Sequence, residues 1–525
     1  MFIKKNKGVS LSKEHNPNYL AKVCMIDNIS PVENADRLMK TTINGYDIIV
    51  DNSYKIGDIV IHFTSETVIC KDFLSKNNLY GWDNWEENDI SDLIRLLLCY
   101  SEDEKSDEEM KKAYKDKARS LCGFFNKSGR VKTIRLRGQI SNGFIVKYNI
   151  MDDYIGKKMP WDIMIGKTFD TVNGKLFCWK YIPPVKELFI KSNVSRWNKL
   201  MKRINRHTNR LIPGQFELHY FTKKLNDEIT YFKPDDEVSI TVKCHGTSGV
   251  FSNVLWKKEM PWYKKILTKI GVMYNDKEYK DLYASRSVIK NREINTNAND
   301  YYGTDIWGDV NEAIKSHISK GMTVYGEIVG YITGTEKMIQ IGHDYGCKVG
   351  QWKFMPYRIT QTDKFGNKTE WDVDKVNEWT NNLIKKGVYI SDRLMPMEIL
   401  YIGKLGDLYP DLDTNNHWHE NIFERLKNDK NFLMEEPEPM CKLNRDKYES
   451  VIKKYKDVSP DNVDAFEKAQ KKINDAKSML APREGIVIRK INDNKPCAFK
   501  LKTDAHYLLE TKQHDKGEIS IDEIE

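Results

Sequence analysis

In the first third of the chain, short runs rich in apolar and β-branched residues alternate with turn signals. "AKVCMIDNI", "DRLMKTTING", "YDIIVDNS" and "YKIGDIVIHF", between about Tyr19 and Phe63, alternate with polar breaks, which predicts short antiparallel strands. Asn44-Gly45 and Gly57-Asp58 stand between such runs and predict hairpin turns. The pattern resumes in "VKTIRLRGQISNGFIVKY", Val131 to Tyr148. Between the two regions, "YSEDEKSDEEMKKAYKDKARS" runs from acidic to basic and predicts a solvated helix, part of a charged insert near residues 83–127. So many short strands in residues 1–170 predict a small closed barrel, with the OB type as a candidate.

Beyond this region the period changes. Residues 171–234 read as a linker with a basic segment, Lys191 to Gly214, and residues 235–525 as a larger domain of mixed strands and helices. A mostly helical insertion is predicted near 372–480, after which strands return in "EGIVIRKI" and "PCAFKLKT". A chain of 525 residues has room for two or three domains with cores of their own. The formal charge of +8 is compatible with a polyanionic partner but weak evidence alone. Nine cysteines without a CxxC pair argue for a reducing compartment and against a zinc ribbon. No apolar run approaches the ~18 residues of a membrane span, and "MFIKKNKGVSLSKEH" lacks a signal-peptide core. A soluble cytoplasmic protein is expected.

The candidate chemistry lies where polar residues interrupt apolar strands. "ITVKCHGTSGVF" carries Lys243, followed by His245 and Gly246. A strand lysine ordinarily snorkels to water, but one whose charged form is disfavoured becomes a nucleophile. Further on stand Arg286 in "YASRSVIK", Glu327 in "TVYGEIVGYI", Tyr357 in "WKFMPYRIT", Glu484 in "REGIVIRK", and Lys500 and Lys502 in "CAFKLKT". Singly these read as a surface arginine, a paired buried carboxylate or a core aromatic. Together they meet the needs of one reaction. Lys500 and Lys502 share a strand face and can clamp an α-phosphate, and their field bears on Lys243. Of the carboxylates, one can hold a metal and the other accept from a ribose hydroxyl. Gly246 would let the backbone approach the nucleotide. No Walker-type phosphate loop is present. His417 and His419 in "NNHWHE" lack companion ligands and read as loop residues.

This ordered set resembles the covalent nucleotidyltransferase superfamily of polynucleotide ligases and capping enzymes, over about Asp235 to Thr503. "KCHG" matches the nucleophile motif, "SR" the second, "YGEIVG" the third, "PYRI" the base-stacking motif, and "EGIVIRK" and "FKLK" the last two. Lys-x-His-Gly is similar to RNA ligases, as is "IQIGHDYGC", Ile339 to Cys347. The N-terminal region resembles the OB module preceding the catalytic domain in one RNA ligase family. The chain departs from the pattern in the long helical gap between Tyr357 and Glu484, and in Arg358, where many relatives have aspartate.

The resemblance implies an α+β protein, an OB-type barrel followed by an ATP-grasp-like nucleotidyltransferase domain of antiparallel sheets and helices. It implies an ATP-dependent RNA ligase joining 3′-hydroxyl and 5′-phosphate ends through a lysyl-AMP and an adenylated strand. Lys243, Glu484, Lys500 and Lys502 would be catalytic, and Val242, His245, Gly246, Arg286, Glu327 and Tyr357 would bind the nucleotide. Mg²⁺ or Mn²⁺ would be held at Glu484, and an RNA-binding monomer is expected. The alternatives are a DNA ligase, a capping guanylyltransferase, or an RNA-binding protein with a vestigial site.

Overall fold

The computed structural model describes residues 8–33, 35–103, 107–183, 210–220, 222–258, 260–269, 271–291, 304–387, 391–432, 434, 436–460, 462–491 and 497–518. Residues 191–209 of the predicted basic segment lie outside them. The chain divides into two compact units, Met1–Pro183 with Tyr507–Lys516, and Pro184–His506 with Gly517–Glu525.

The first unit is built on an antiparallel sheet in the order Phe144–Lys147, Ile59–Phe63, Ala21–Met25, Thr168–Phe169. Val23, Ile61, Phe63 and Phe144 pack into one core with Phe73, Trp161 and Phe177. Cys24, Val60 and Ile145 pack into another with Ile43, Tyr46 and Ile48. Both faces are covered, which is why these strands read as nearly continuous apolar runs. Ala35–Ile43 and Tyr46–Asp51 form the predicted hairpin, with Asn44 and Gly45 at φ 49° and 71°, the left-handed pair a tight turn needs. Gly57 differs. Its φ is 88°, but it joins strands of separate sheets, so it makes a corner and not a hairpin.

Of the expected OB-type barrel, the described residues carry antiparallel sheets of two to four strands, and no ring of strands closes among them. The charged insert contains the helices Ser91–Glu102 and Glu108–Ser120, and the second buries only Ala118. Tyr507–Lys516 joins this unit through a buried network in which His514 Nδ1 lies 2.5 Å from Glu66 Oε2 and Arg130 pairs with Glu66 and Asp515.

The second unit has two five-stranded sheets. One runs Lys223–Lys224, Ala498–Lys502, Gly485–Lys490, Glu237–Lys243, Ile399–Lys404; the other runs Lys277–Ala284, Thr247–Lys257, Met322–Gly330, Trp352–Thr362, Lys368–Glu370. All pairings are antiparallel except Lys223–Lys224 with Ala498–Lys502. Residues 244–246 carry the chain from one sheet to the other.

The segment predicted as a helical insertion is mostly helical, but it is not a separate body. Its strand Ile399–Lys404 completes the first sheet. Val376 and Leu383 of the helix Val373–Lys385 pack on the second sheet's core, and Ile422, Phe423 and Leu426 on the first's. The nine cysteines are all free. Among the described residues no helix is long and apolar enough to cross a membrane.

Candidate active site

Strand register brings the predicted lysines together. Lys243 ends its strand opposite Gly485, and Gly485 stands opposite Lys502 on its other side. Gly485 has φ 145°, and a Cβ there would lie 1.9 Å from the Leu501 carbonyl oxygen, so the position admits only glycine. The residue before it, Glu484, is buried at 3% exposure. Lys243 Nζ donates to Glu484 Oε2 at 2.8 Å, and Lys502 Nζ lies 3.6 Å from Oε1. Burial by itself would raise the Glu484 carboxyl, but Lys243, His506, Lys502 and His245 outweigh it and hold the group well below the usual range.

Lys500 and Lys502 share a face as predicted, yet they differ in partners. Lys500 is half-buried and forms no ion pair with a carboxylate among the described residues. Burial, then Lys502, Arg286, Lys243 and Lys224, push its ammonium well below the ordinary lysine value. Lys243 and Lys500 share this field, since each repels the other, and Lys243 is in addition paired with Glu484. A half-buried cluster of cations with one carboxylate among them is a site for an anion.

Three imidazoles adjoin Glu484, and only His245 was expected. His245 Nδ1 lies 3.8 Å from Oε2 and His506 Nε2 lies 3.6 Å from Oε1. The His245 ring meets those of His506 and His343 edge-on, with centroids 4.7 and 4.9 Å away. Burial, reinforced by His506, drives the His245 imidazolium well below its ordinary value. Its backbone amide donates to the Tyr345 hydroxyl at 2.6 Å, and Gln340 Nε2 donates to the Gly246 carbonyl at 2.7 Å. Gln340, His343 and Tyr345 belong to the quoted "IQIGHDYGC", so that segment was visible in the sequence but its contacts were not. For His506, in the first turn of the helix Asp504–Asp515, no sequence signal existed.

Gly246 has another reason than nucleotide access. A Cβ there would lie 2.4 Å from the Ile328 carbonyl oxygen and 2.8 Å from Glu327 Cγ. The glycine lets the chain cross between sheets, and its amide donates to Glu327 Oε1 at 3.2 Å. Gly246→Ala should destabilise the protein by about 1–3 kcal/mol through overpacking, read as a fall in the thermal midpoint. An unchanged midpoint would contradict this close contact. Val242 is not brought to the site. By strand alternation it points away from the Lys243 side, into a core with Val329, Tyr345 and Met355.

Tyr357 is half-buried at the edge of an aromatic and cationic group. Its hydroxyl is 3.3 Å from Ser248 Oγ, its ring meets His219 edge-on at 5.4 Å, and the Arg489 guanidinium lies 5.8 Å from its centroid. Arg286 follows the strand Lys277–Ala284 and bears electrostatically on both His219 and Lys500. Arg358 is structural: it pairs with Glu370 at 2.8 Å and covers the rings of Tyr220 and Tyr325.

His219, unforeseen from the sequence, is held neutral. Burial, then the charges of Arg286, Arg358 and Arg489, lower its pKa to about 3, although its Nδ1 donates to the Tyr220 carbonyl at 2.5 Å. The folded value lies below the unfolded one, so unfolding takes up a proton between about pH 6.5 and 3. Stability is therefore retained above that window and lost as pH falls through it, by about 1.4 kcal/mol per pH unit for this group. His219→Asn should flatten the decline in the denaturant midpoint between about pH 6.5 and 5. An identical decline in both proteins would refute the buried neutral imidazole.

No family model and no curated protein matches the chain. Among solved structures it is similar to an RNA ligase of Naegleria gruberi in several forms. A lysine-to-alanine variant with ATP and Mn aligns at 15% identity and TM-score 0.47, covering 94% of this chain and 99% of the other. A lysine-to-methionine variant with AMP and Mn aligns at 15% identity, TM-score 0.46 and the same coverage. The form with PPi aligns at 15% identity and TM-score 0.45, again covering 94% and 99%.

Proposed function

We propose that the second unit is an ATP-dependent nucleotidyltransferase that charges Lys243 with AMP, and that the chain is an RNA ligase. The observation that carries this reading is the in-register group Lys243, Glu484 and Lys502, with Lys500 beside it, which has no carboxylate partner among the described residues. It is an amine at the edge of a cation cluster suited to phosphates. On this reading the Lys243 nitrogen forms a bond to the α-phosphorus as the bridging P–O bond breaks and pyrophosphate leaves. The amine must first lose a proton and give up its contact with Glu484 Oε2, 2.8 Å away.

Lys500 and Lys502 would hold the α-phosphate as charge builds on its oxygens. Tyr357 would stack on the base, with His219 and Arg489 fixing its ring, and Arg286 would reach the sugar or phosphate. Glu327 would exchange its Gly246 contact for a ribose hydroxyl. A divalent metal at Glu484 would supply charge neutralisation for the phosphate oxygens. The adenylate would pass to an RNA 5′-phosphate, and a 3′-hydroxyl would then displace AMP.

The test is incubation with α-labelled ATP or GTP and then with 5′-phosphorylated RNA or DNA strands. Label from ATP alone, followed by joining of RNA ends, supports the reading. Label from GTP favours a capping-type enzyme, joining of DNA ends alone a DNA ligase, and absence of label the non-enzymatic alternative.

A further inference from the structure

His245, Glu484 and His506 come from three separate elements: the link between the sheets, the approach to the strand Gly485–Lys490, and the helix Asp504–Asp515. They offer one ligand atom each, all within 4.8 Å of one another. The carboxylate lies centrally, 3.8 Å from His245 Nδ1 and 3.6 Å from His506 Nε2. Donors bound at about 2.0–2.2 Å to one ion sit roughly 3–3.5 Å apart, so a small rotation of the rings closes the set. His343, packed edge-on against both rings, has each of its nitrogens near a backbone carbonyl, Pro482 at 3.2 Å and Ile341 at 3.3 Å. It therefore holds the other two rings in place and is not a ligand itself.

We infer that His245, Glu484 and His506 form a nitrogen-donor site for a first-row divalent transition metal ion, in preference to Mg²⁺. Mg²⁺ takes oxygen ligands and keeps its waters, whereas imidazole nitrogens select borderline ions. The role of the ion rests on the proposed nucleotidyl transfer, but the existence of the site rests on these three side chains alone. Lys243 and Lys502 contact the same carboxylate, so they compete electrostatically with the cation. Occupancy therefore rises when the charge on Lys243 is removed, as it is when that nitrogen becomes a phosphoramidate. This couples metal capture to the charged-lysine state.

The experiment is Mn²⁺ titration of the full-length protein without nucleotide, following free Mn²⁺ by electron paramagnetic resonance, with Mg²⁺ as competitor. In the bound form, ¹⁴N couplings to the Mn²⁺ spin are expected, a readout that requires no variant. His506→Gln should weaken binding about tenfold or more, and Lys243→Met should tighten it by about as much. Absent nitrogen coupling, displacement by equal Mg²⁺, or unchanged affinity in His506→Gln would overturn the site. Labelling from α-labelled ATP, run in parallel, separates the two ideas. Label without nitrogen-bound Mn²⁺ removes the metal site alone; nitrogen-bound Mn²⁺ without label removes the nucleotidyl-transfer reading alone.

Discussion

Lys243→Ala is expected to abolish covalent labelling by α-labelled ATP, by roughly a thousandfold or more, while the protein stays folded. The magnitude is that of losing the attacking atom itself, for which neighbouring lysines are not substitutes. Lys502 is on the next strand but one, with its amine on the other oxygen of Glu484, and Lys500 is two residues before it, so both approach the site from a different strand than Lys243. The fold should survive because Lys243 is 22% exposed and its backbone pairing with Gly485 does not use the side chain. Glu484 would retain Lys502, 3.6 Å away. Intact far-ultraviolet dichroism with no label is the expected combination. Equal labelling of wild type and variant would remove Lys243 from the mechanism, whatever the fate of ligation.

Glu484→Gln should have the opposite balance, a large loss of stability as well as of labelling. The carboxylate is the anion between Lys243 and Lys502, with the His245 and His506 rings beside it, and a neutral amide leaves the two ammonium groups facing one another. Removing one partner of a buried ionic group costs about 3–5 kcal/mol, which for a domain of this size lowers the thermal midpoint by about 6–20 °C. Pyrophosphate should restore part of that loss by supplying negative charge to the cluster, a recovery that a packing defect would not give. Acid sensitivity supplies a second readout. The wild-type carboxyl is held low, so its contribution is present above about pH 4.5 and disappears as pH falls below it; the variant should lack that part of the acid decline. A midpoint within about 2 °C of wild type would show that Glu484 does not carry the electrostatics assigned to it.

Much of the candidate site was legible because it is written in strands. A period-two register puts Lys500 and Lys502 on one face, and apolar runs made Glu327 and Glu484 conspicuous. Alternation also explains why the side chain of Val242, adjacent to Lys243, points to the other side, into its core environment. Gly246 was read as an opening for a nucleotide. The Ile328 carbonyl beneath it also leaves no room for a side chain, a contact between residues far apart in the chain that no local pattern reports.

By itself, the sequence determined the alternating strands of both units, the Asn44-Gly45 turn, the solvated helix of the insert, and which polar side chains interrupt apolar surfaces. These are properties of a residue and its near neighbours, decided by backbone preference and periodicity. Tertiary structure alone decided that Lys502, Arg286, Lys243 and Lys224 converge on Lys500, and that Ile399–Lys404 completes a sheet from inside a helical region. It also decided that His343 and His506 gather around Glu484, and that His219 lies against Tyr357. Each of these depends on distances between segments remote in sequence, and electrostatic and packing energies are functions of those distances.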